Sequence, residues 1–235
     1  MPTTFDDLRR SVVAANLELV RAGLVALTFG NASGADRAAG VMAIKPSGVA
    51  FDELRPETIP VLDIDTGIVL AGEHRPSSDT QTHIALYRAF DGIGGIVHTH
   101  SPFATAWAQA RREIPCVGTT HADHFRGPIP VTRLLTPEEI AAGYEEQTGA
   151  AIIETFLYGA LDPLSLPAVL VASHGPFAWG ADANAAVENA VALEVVAAST
   201  YRALLLRAEI GSIQDELLGK HFDRKHGAGA YYGQR

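Results

Sequence analysis

Two apolar runs, Val61-Leu62-Asp63-Ile64-Asp65 and Ile68-Val69-Leu70-Ala71, are separated only by Thr66-Gly67. A two-residue connection between strand-like runs makes a hairpin and leaves no room for a crossover helix. The strands it joins are therefore expected to be antiparallel, which argues against a purely parallel, doubly wound sheet. Around this hairpin, segments of helical period alternate with short apolar runs. The expected fold class is α/β, a three-layer α/β/α arrangement with a central, largely antiparallel sheet. No repeat, low-complexity tract or linker divides the chain, so a single domain over residues 1–235 is expected.

Taken in order, Leu8, Val12, Ala15 and Leu19 space a helix over residues 5–22, with Thr4 as N-cap and Gly23 as stop. Residues 28–34, Thr-Phe-Gly-Asn-Ala-Ser-Gly, read as a loop, and 41–45 as a strand running into Pro46-Ser47-Gly48. Helices are expected from Asp79 to about Phe90 and over 102–111, with strands near Val117 and over 129–132. Thr136-Pro137-Glu138-Glu139 is a capping-box start for a helix that runs to Leu157, broken near Gly149. The continuous apolar run 167–173 is a buried strand leading to His174-Gly175-Pro176. Asp182 caps a helix over 183–207, and a short helix over 212–219 precedes the tail.

Charge and cysteine content narrow the chemistry. A net charge of −9 argues against a general nucleic-acid binder, which needs a basic face. The lone Cys116 excludes an intrachain disulfide and thiolate zinc clusters, so any metal must use histidine and carboxylate donors. The acidic N-terminus lacks the apolar core of a secretory signal, and no apolar run approaches the ~20 residues of a membrane span. A cytoplasmic protein that touches neither membrane nor nucleic acid is expected.

Gly94-Gly95-Ile96-Val97-His98-Thr99-His100-Ser101 reads as a strand ending in two histidines. Alternate strand residues share a face, so His98 and His100 point the same way. Such a pair is half of a transition-metal site, or else a hydrogen-bonded pair lining a core. His174 closes another apolar strand and Asp79 opens a helix, which would complete a three-nitrogen, one-oxygen set for zinc, manganese or cobalt. Asp79 is equally what helix capping alone would select. Gly30-Asn31, Ser47-Gly48 and Ser77-Ser78, with Lys45 close by in sequence, could bring amides to a phosphate or could be ordinary turns. The residues after His100 fit neither the cupin nor the metallo-β-lactamase spacing, and no nicotinamide or Gly-Lys-Ser/Thr phosphate loop is present.

Six blocks then carry a family pattern. They are Leu27-Thr28-Phe29-Gly30-Asn31-Ala32-Ser33, Ile44-Lys45-Pro46-Ser47-Gly48-Val49, Pro76-Ser77-Ser78-Asp79-Thr80, the His98 strand, Gly118-Thr119-Thr120-His121-Ala122-Asp123, and Ser173-His174-Gly175-Pro176-Phe177-Ala178-Trp179-Gly180. Together with the tail after Lys220 they resemble the L-ribulose-5-phosphate 4-epimerase family of the class II aldolase superfamily, over essentially the whole chain.

The resemblance implies a Zn2+ site at Asp79, His98, His100 and His174, with Mn2+ or Co2+ as substitutes. It implies phosphate and substrate contacts at Gly30, Asn31, Lys45, Ser47, Gly48, Ser77 and Ser78. It further implies acid/base roles for Asp123 and Tyr232, with His221 close to the site. The assembly it implies is a C4 homotetramer, with active sites between subunits completed by the tail 220–235. Fuculose-phosphate aldolases carry Glu where this chain has Asp79, which favours epimerisation of a phosphorylated ketopentose over simple aldol cleavage. The implied alternatives are a sugar-phosphate aldolase or a non-catalytic zinc-binding paralogue. Arabinose and ascorbate catabolism both need the epimerase step.

Overall fold

The computed structural model describes residues 5–231. Seven strands form one sheet: β1 (Asn31–Asp36), β2 (Val41–Ile44), β3 (Val61–Asp63), β4 (Val69–Ala71), β5 (Gly95–His98), β6 (Ala168–Leu170) and β7 (Pro176–Gly180). Their order is β4-β3-β2-β1-β5-β7-β6, and every neighbouring pair is antiparallel. β3 and β4 form the expected antiparallel hairpin, but both strands are shorter than their apolar runs, so the connection spans residues 64–68 around Thr66-Gly67 rather than two residues. Seven helices accompany the sheet: α1 (Asp6–Arg21), α2 (Thr80–Ala89), α3 (Pro102–Ala110), α4 (Thr119–Ala122), α5 (Pro137–Tyr158), α6 (Ala183–Leu206) and α7 (Asp215–His226).

The two faces of the sheet can be read from its register. Asn31, His98 and Phe177 are cross-strand neighbours, as are Ser33, Ile96 and Trp179, so all six share one face. That face takes α2 and α5, since Ser33 meets His83 and Tyr87, and Trp179 packs on Phe90 and Phe156. The opposite face takes α1 and α6, because a Cβ added at Gly34 would meet Val12 and Ala183. The α/β/α layering follows.

β1 departs from expectation. Its sequence Asn-Ala-Ser-Gly-Ala-Asp has no β-branched or aromatic residue, and it was expected to be loop up to Gly34. The reason is crowding: a Cβ at Gly34 would sit 3.2 Å from Val12 Cγ2, while the Asn16 amide on α1 holds both Ala32 N, at 2.9 Å, and Ala32 O, at 3.0 Å. Small residues let the helix lie directly on the strand. The expected strands near Val117 and over 129–132 reduce to isolated bridges, Ile114 with Ile129 and Val131 with Leu170. Pro115, Pro128 and Pro130 remove the donors a longer ladder would need. The apolar run 167–173 shortens to β6, which pairs in a hairpin with β7, a strand not foreseen.

Thr136 closes the capping box with Glu139, as expected, but α5 is interrupted at Gly143 (φ +156°, ψ 90°) rather than at Gly149. Gly149 is there for proximity, because a Cβ would lie 2.7 Å from Ala85 Cβ where α5 crosses α2. Gly149→Ala is thus expected to destabilise the protein by about 1–3 kcal/mol through overpacking, despite the better helix propensity of alanine. A denaturant melt showing equal or greater stability would refute that tight contact. Asp182 caps α6 through Ala185 N, as anticipated. By length and composition α6 could cross a bilayer, contrary to the sequence expectation, and it lays Ala186, Val187, Ala190, Leu193, Val196 and Ala197 into the core instead. The last helix begins at Asp215 and runs on to His226, past the expected end at Gly219. Thr4 and Tyr232 lie outside the described residues.

Candidate active site

β5 ends in the middle of the sheet, paired on both sides, so His98 is fixed by ladders to β1 and β7. Its ring is buried and stacked on Phe177, with centroids 4.3 Å apart. His98 Nδ1 lies 2.9 Å from the Pro176 carbonyl. A carbonyl can only accept, so Nδ1 carries the proton and Nε2 presents a lone pair. That Nε2 is 3.1 Å from His100 Nε2. His174 enters from the β6–β7 turn, where Ser173 is held at φ +62°, and its Nδ1 is 3.0 Å from the Tyr144 hydroxyl. One ring nitrogen from each of His98, His100 and His174 lies within 4.8 Å of the others. His100 is exposed and half-buried His174 joins it, so the alternative of a core pair is set aside.

The electrostatics suit a cation. Burial, opposed by the Asp79 carboxylate, pushes His98 down to about 3. Burial and then the neighbouring His100 push His174 down as well. Uncharged imidazoles with converging lone pairs are what a divalent transition metal requires. Asp79 stands at the N-terminus of α2 without capping it; its Oδ2 accepts instead from Asn31 Nδ2 at 2.7 Å. Burial alone would raise its carboxyl, but His98, His83 and the Asn31 amide outweigh that and hold it below the usual carboxylate value. Asp79 shares the cavity of the three histidines without being gathered into their cluster.

That cavity, about 430 Å³, is lined by Gly30, Asn31, Lys45, Ser47, Gly48, Ser77, Ser78, Asp79, His98, His100 and His174. These are all the residues expected to hold metal and phosphate. Gly30 has to be glycine: its φ is +82°, and a Cβ would come within 2.8 Å of His98 O. The two serine loops are stitched side by side, Ser47 N to Arg75 O at 2.9 Å and Ser77 N to Lys45 O at 3.2 Å. Those two amides are therefore spent on the backbone, whereas the Gly48 and Ser78 amides have no backbone partner among the described residues. Lys45 is buried, with Nζ 3.4 Å from Thr28 O and 4.6 Å from the Phe51 ring centre. Burial lowers its pKa, and no carboxylate pairs with it among the described residues. The same walls hold Thr28, Phe29, Tyr144 and Glu145, which sequence reasoning missed. Only the Gly143 break marks Tyr144 and Glu145, and it does so without naming a role.

Asp123 and His221 lie elsewhere. Asp123, at the end of α4, accepts from His221 Nδ1 at 3.1 Å and from Arg224 Nε at 2.9 Å on Oδ1, and from Arg224 Nη2 at 2.6 Å on Oδ2. Burial raises its carboxyl, but Arg224 and His221 prevail and hold it low. Arg224 was not anticipated. A carboxylate with a lowered folded pKa stabilises the fold in full above its unfolded value of about 3.9. The anchoring of α7 on α4 should therefore survive down to pH about 4 and weaken as the pH falls further. Pepsin digestion followed across that range should cut near α7 only at the acid end; cleavage that ignores pH would contradict this coupling.

Residues 10–201 match the Class II Aldolase and Adducin N-terminal domain. The chain belongs to the class II aldolase family. Within it, the chain is similar to the L-ribulose-5-phosphate 4-epimerase UlaF of Salmonella paratyphi B and that of Salmonella typhi, each 51% identical over 97% of this chain and 99% of the relative. Among solved structures an L-fuculose 1-phosphate aldolase superposes with a TM-score of 0.77 at 28% identity, covering 93% of this chain and 95% of its own. The fold also recurs in the L-fuculose-1-phosphate aldolase of Thermus thermophilus, with a TM-score of 0.66 at 22% identity over 86% of this chain and 97% of that one. Class II aldolases are metal-dependent, and the three-histidine cluster is where this chain could bind its ion.

Proposed function

We propose that this chain is a single-domain L-ribulose-5-phosphate 4-epimerase, an isomerase that interconverts L-ribulose 5-phosphate and D-xylulose 5-phosphate. The observation that carries the reading is one cavity holding both a buried lysine with no carboxylate partner among the described residues and three converging imidazoles. That combination serves a phosphorylated substrate with neighbouring oxygens for a cation. The full-length similarity to UlaF supports the particular substrate.

C4 of the ketopentose lies one carbon beyond the position that the C2 carbonyl acidifies, so direct proton removal at C4 is unavailable. Breaking and remaking the C3–C4 bond inverts it. A divalent cation held by His98, His100, His174 and Asp79, zinc in our reading and replaceable by manganese or cobalt, would supply Lewis acidity at the C2 and C3 oxygens. Lys45 and the Gly48 and Ser78 amides hold the phosphate while the glycolaldehyde phosphate fragment turns over its face, and Asn31, whose Nδ2 donates to Ser77 Oγ and Asp79 Oδ2, keeps the Ser77 loop in place beside them. Asp123, kept ionised by Arg224, takes the proton from the C4 hydroxyl, and Tyr232 protonates the new alkoxide, or the two exchange roles with direction. Because Asp123 and His221 sit outside the cavity of their own chain, we assign them and Tyr232 to a neighbouring subunit's site in a C4 homotetramer. The enzyme would act in the cytoplasm, in pentose catabolism.

The test is to incubate zinc-loaded protein with L-ribulose 5-phosphate, with and without chelator. Chelator-sensitive formation of D-xylulose 5-phosphate is expected. Free glycolaldehyde phosphate and dihydroxyacetone as main products would instead assign an aldolase.

A further inference from the structure

Tyr144 lines the cavity, yet the proposed reaction gives it no role. It stands directly after the break at Gly143, where φ +156° and ψ 90° interrupt α5. Two hydroxyl bonds fix the backbone on the far side of that break. Thr148 Oγ1 donates to Tyr144 O at 2.8 Å, and Thr82 Oγ1, on α2, donates to Glu145 O at 2.6 Å. Both threonines are buried. The kink thus sets the phenol against the β6–β7 turn, where its hydroxyl lies 3.0 Å from His174 Nδ1.

The direction of that bond follows from what a cation needs. A nitrogen engaged in a hydrogen bond cannot also hold an ion, so His174 must offer Nε2 to the imidazole cluster. A neutral imidazole carries one proton, and an ion requires the other nitrogen bare. The proton therefore belongs on Nδ1, which donates to Tyr144 Oη. His98 is set in the same way, but its partner is the Pro176 carbonyl, which can only accept. A phenol can act in either sense. If Tyr144 donated to Nδ1, the imidazole proton would move to Nε2 and close the site to an ion. With Tyr144 accepting, its own proton still has outlets. One is the cavity that the half-buried phenol lines, and the other is the Thr148 hydroxyl, whose proton is already spent on Tyr144 O.

We propose that Tyr144 is the positioning residue for His174: its hydroxyl accepts the Nδ1 proton and so leaves Nε2 bare for the ion. The donors are then set by unequal means. His98 is locked by a carbonyl, whereas His174 depends on a hydroxyl that the Gly143 break delivers. The inference rests on the reading of the three histidines as metal donors.

Tyr144→Phe deletes one oxygen and keeps the ring, whose centre is 5.8 Å from that of His174. Zinc affinity of the full chain, measured by competition with a chromophoric chelator, should fall by about 10–100-fold. Cobalt-loaded Tyr144→Phe should show shifted visible absorption bands, while the metal-free variant should melt with the metal-free wild type. His174→Ala should also lose affinity, and adding Tyr144→Phe to it should cost nothing more, because Tyr144 acts through that imidazole. Wild-type affinity in His174→Ala would overturn the three-histidine reading and the role of Tyr144 with it. A loss in His174→Ala with wild-type affinity and bands in Tyr144→Phe would overturn the positioning role alone, as would losses that add in full. A metal-free Tyr144→Phe that melts well below wild type, or fails to fold, would mark the hydroxyl as structural and overturn that role too.

Discussion

Replacing His98 with alanine is expected to eliminate turnover and to lower zinc content below one ion per chain. The metal role proposed here is worth several kcal/mol of barrier, roughly a thousandfold or more at 1.36 kcal/mol per decade. His98 is the donor to which the others are referred. Its Nδ1 bond to Pro176 O fixes the tautomer, and its Nε2 stands 3.1 Å from His100. The same substitution removes a ring packed on Phe177 in the core, so a loss of thermal stability will accompany it. His100→Ala separates the two effects. His100 is exposed at the cavity mouth and stacks only loosely on Phe29, at 6.1 Å, so its removal should cost activity and metal but little stability. Activity in zinc-depleted His100→Ala equal to wild type would overturn the metal-centre reading.

Asp123→Asn is the second large effect, an expected loss of about 10²–10⁴-fold, the usual worth of one positioned acid/base. Zinc content should be unchanged, because Asp123 lies outside the cavity that holds the donors. Asparagine keeps the shape and one acceptor for Arg224 while removing the charge that the ion pair depends on. Some loosening of α7 is therefore part of the same experiment. Full turnover in this variant would take Asp123 out of the mechanism.

The parts of this molecule that were legible in its sequence are those where local chemistry and tertiary demand agree. The Thr66-Gly67 hairpin, the Thr136 capping box and the Asp182 cap each satisfy a backbone need with residues a few positions away, and each is found where its motif stands. The residues that the family resemblance proposed for metal and phosphate, from Gly30 to His174, were legible as neighbours, since the fold gathers them in one cavity. β1 was hidden because its composition answers to the helix pressed against it rather than to strand propensity. Tyr144 and Glu145 were hidden because they reach the cavity only through the Gly143 kink, which has no periodic signature. Gly149 misled for a related reason, since a glycine in a helix marks a break or a close approach and sequence alone does not say which. Arg224 stood in the tail beyond the expected last helix, and nothing in its spacing pointed to Asp123.

The position of β5 has a consequence for how the site tolerates motion. The strand bearing His98 is hydrogen-bonded on both edges within the sheet, so its amides are expected among the slowest to exchange, opening only with the whole molecule. α7, which carries His221 and Arg224, is tied down chiefly through α4 and the Ile213 N to Cys116 O bond, and should open in a small local event. The imidazole cluster and the Asp123 constellation thus sit at opposite ends of the protection scale. Mild heating or denaturant should loosen the contacts of Asp123 with His221 and Arg224 well before it disturbs the imidazole cluster.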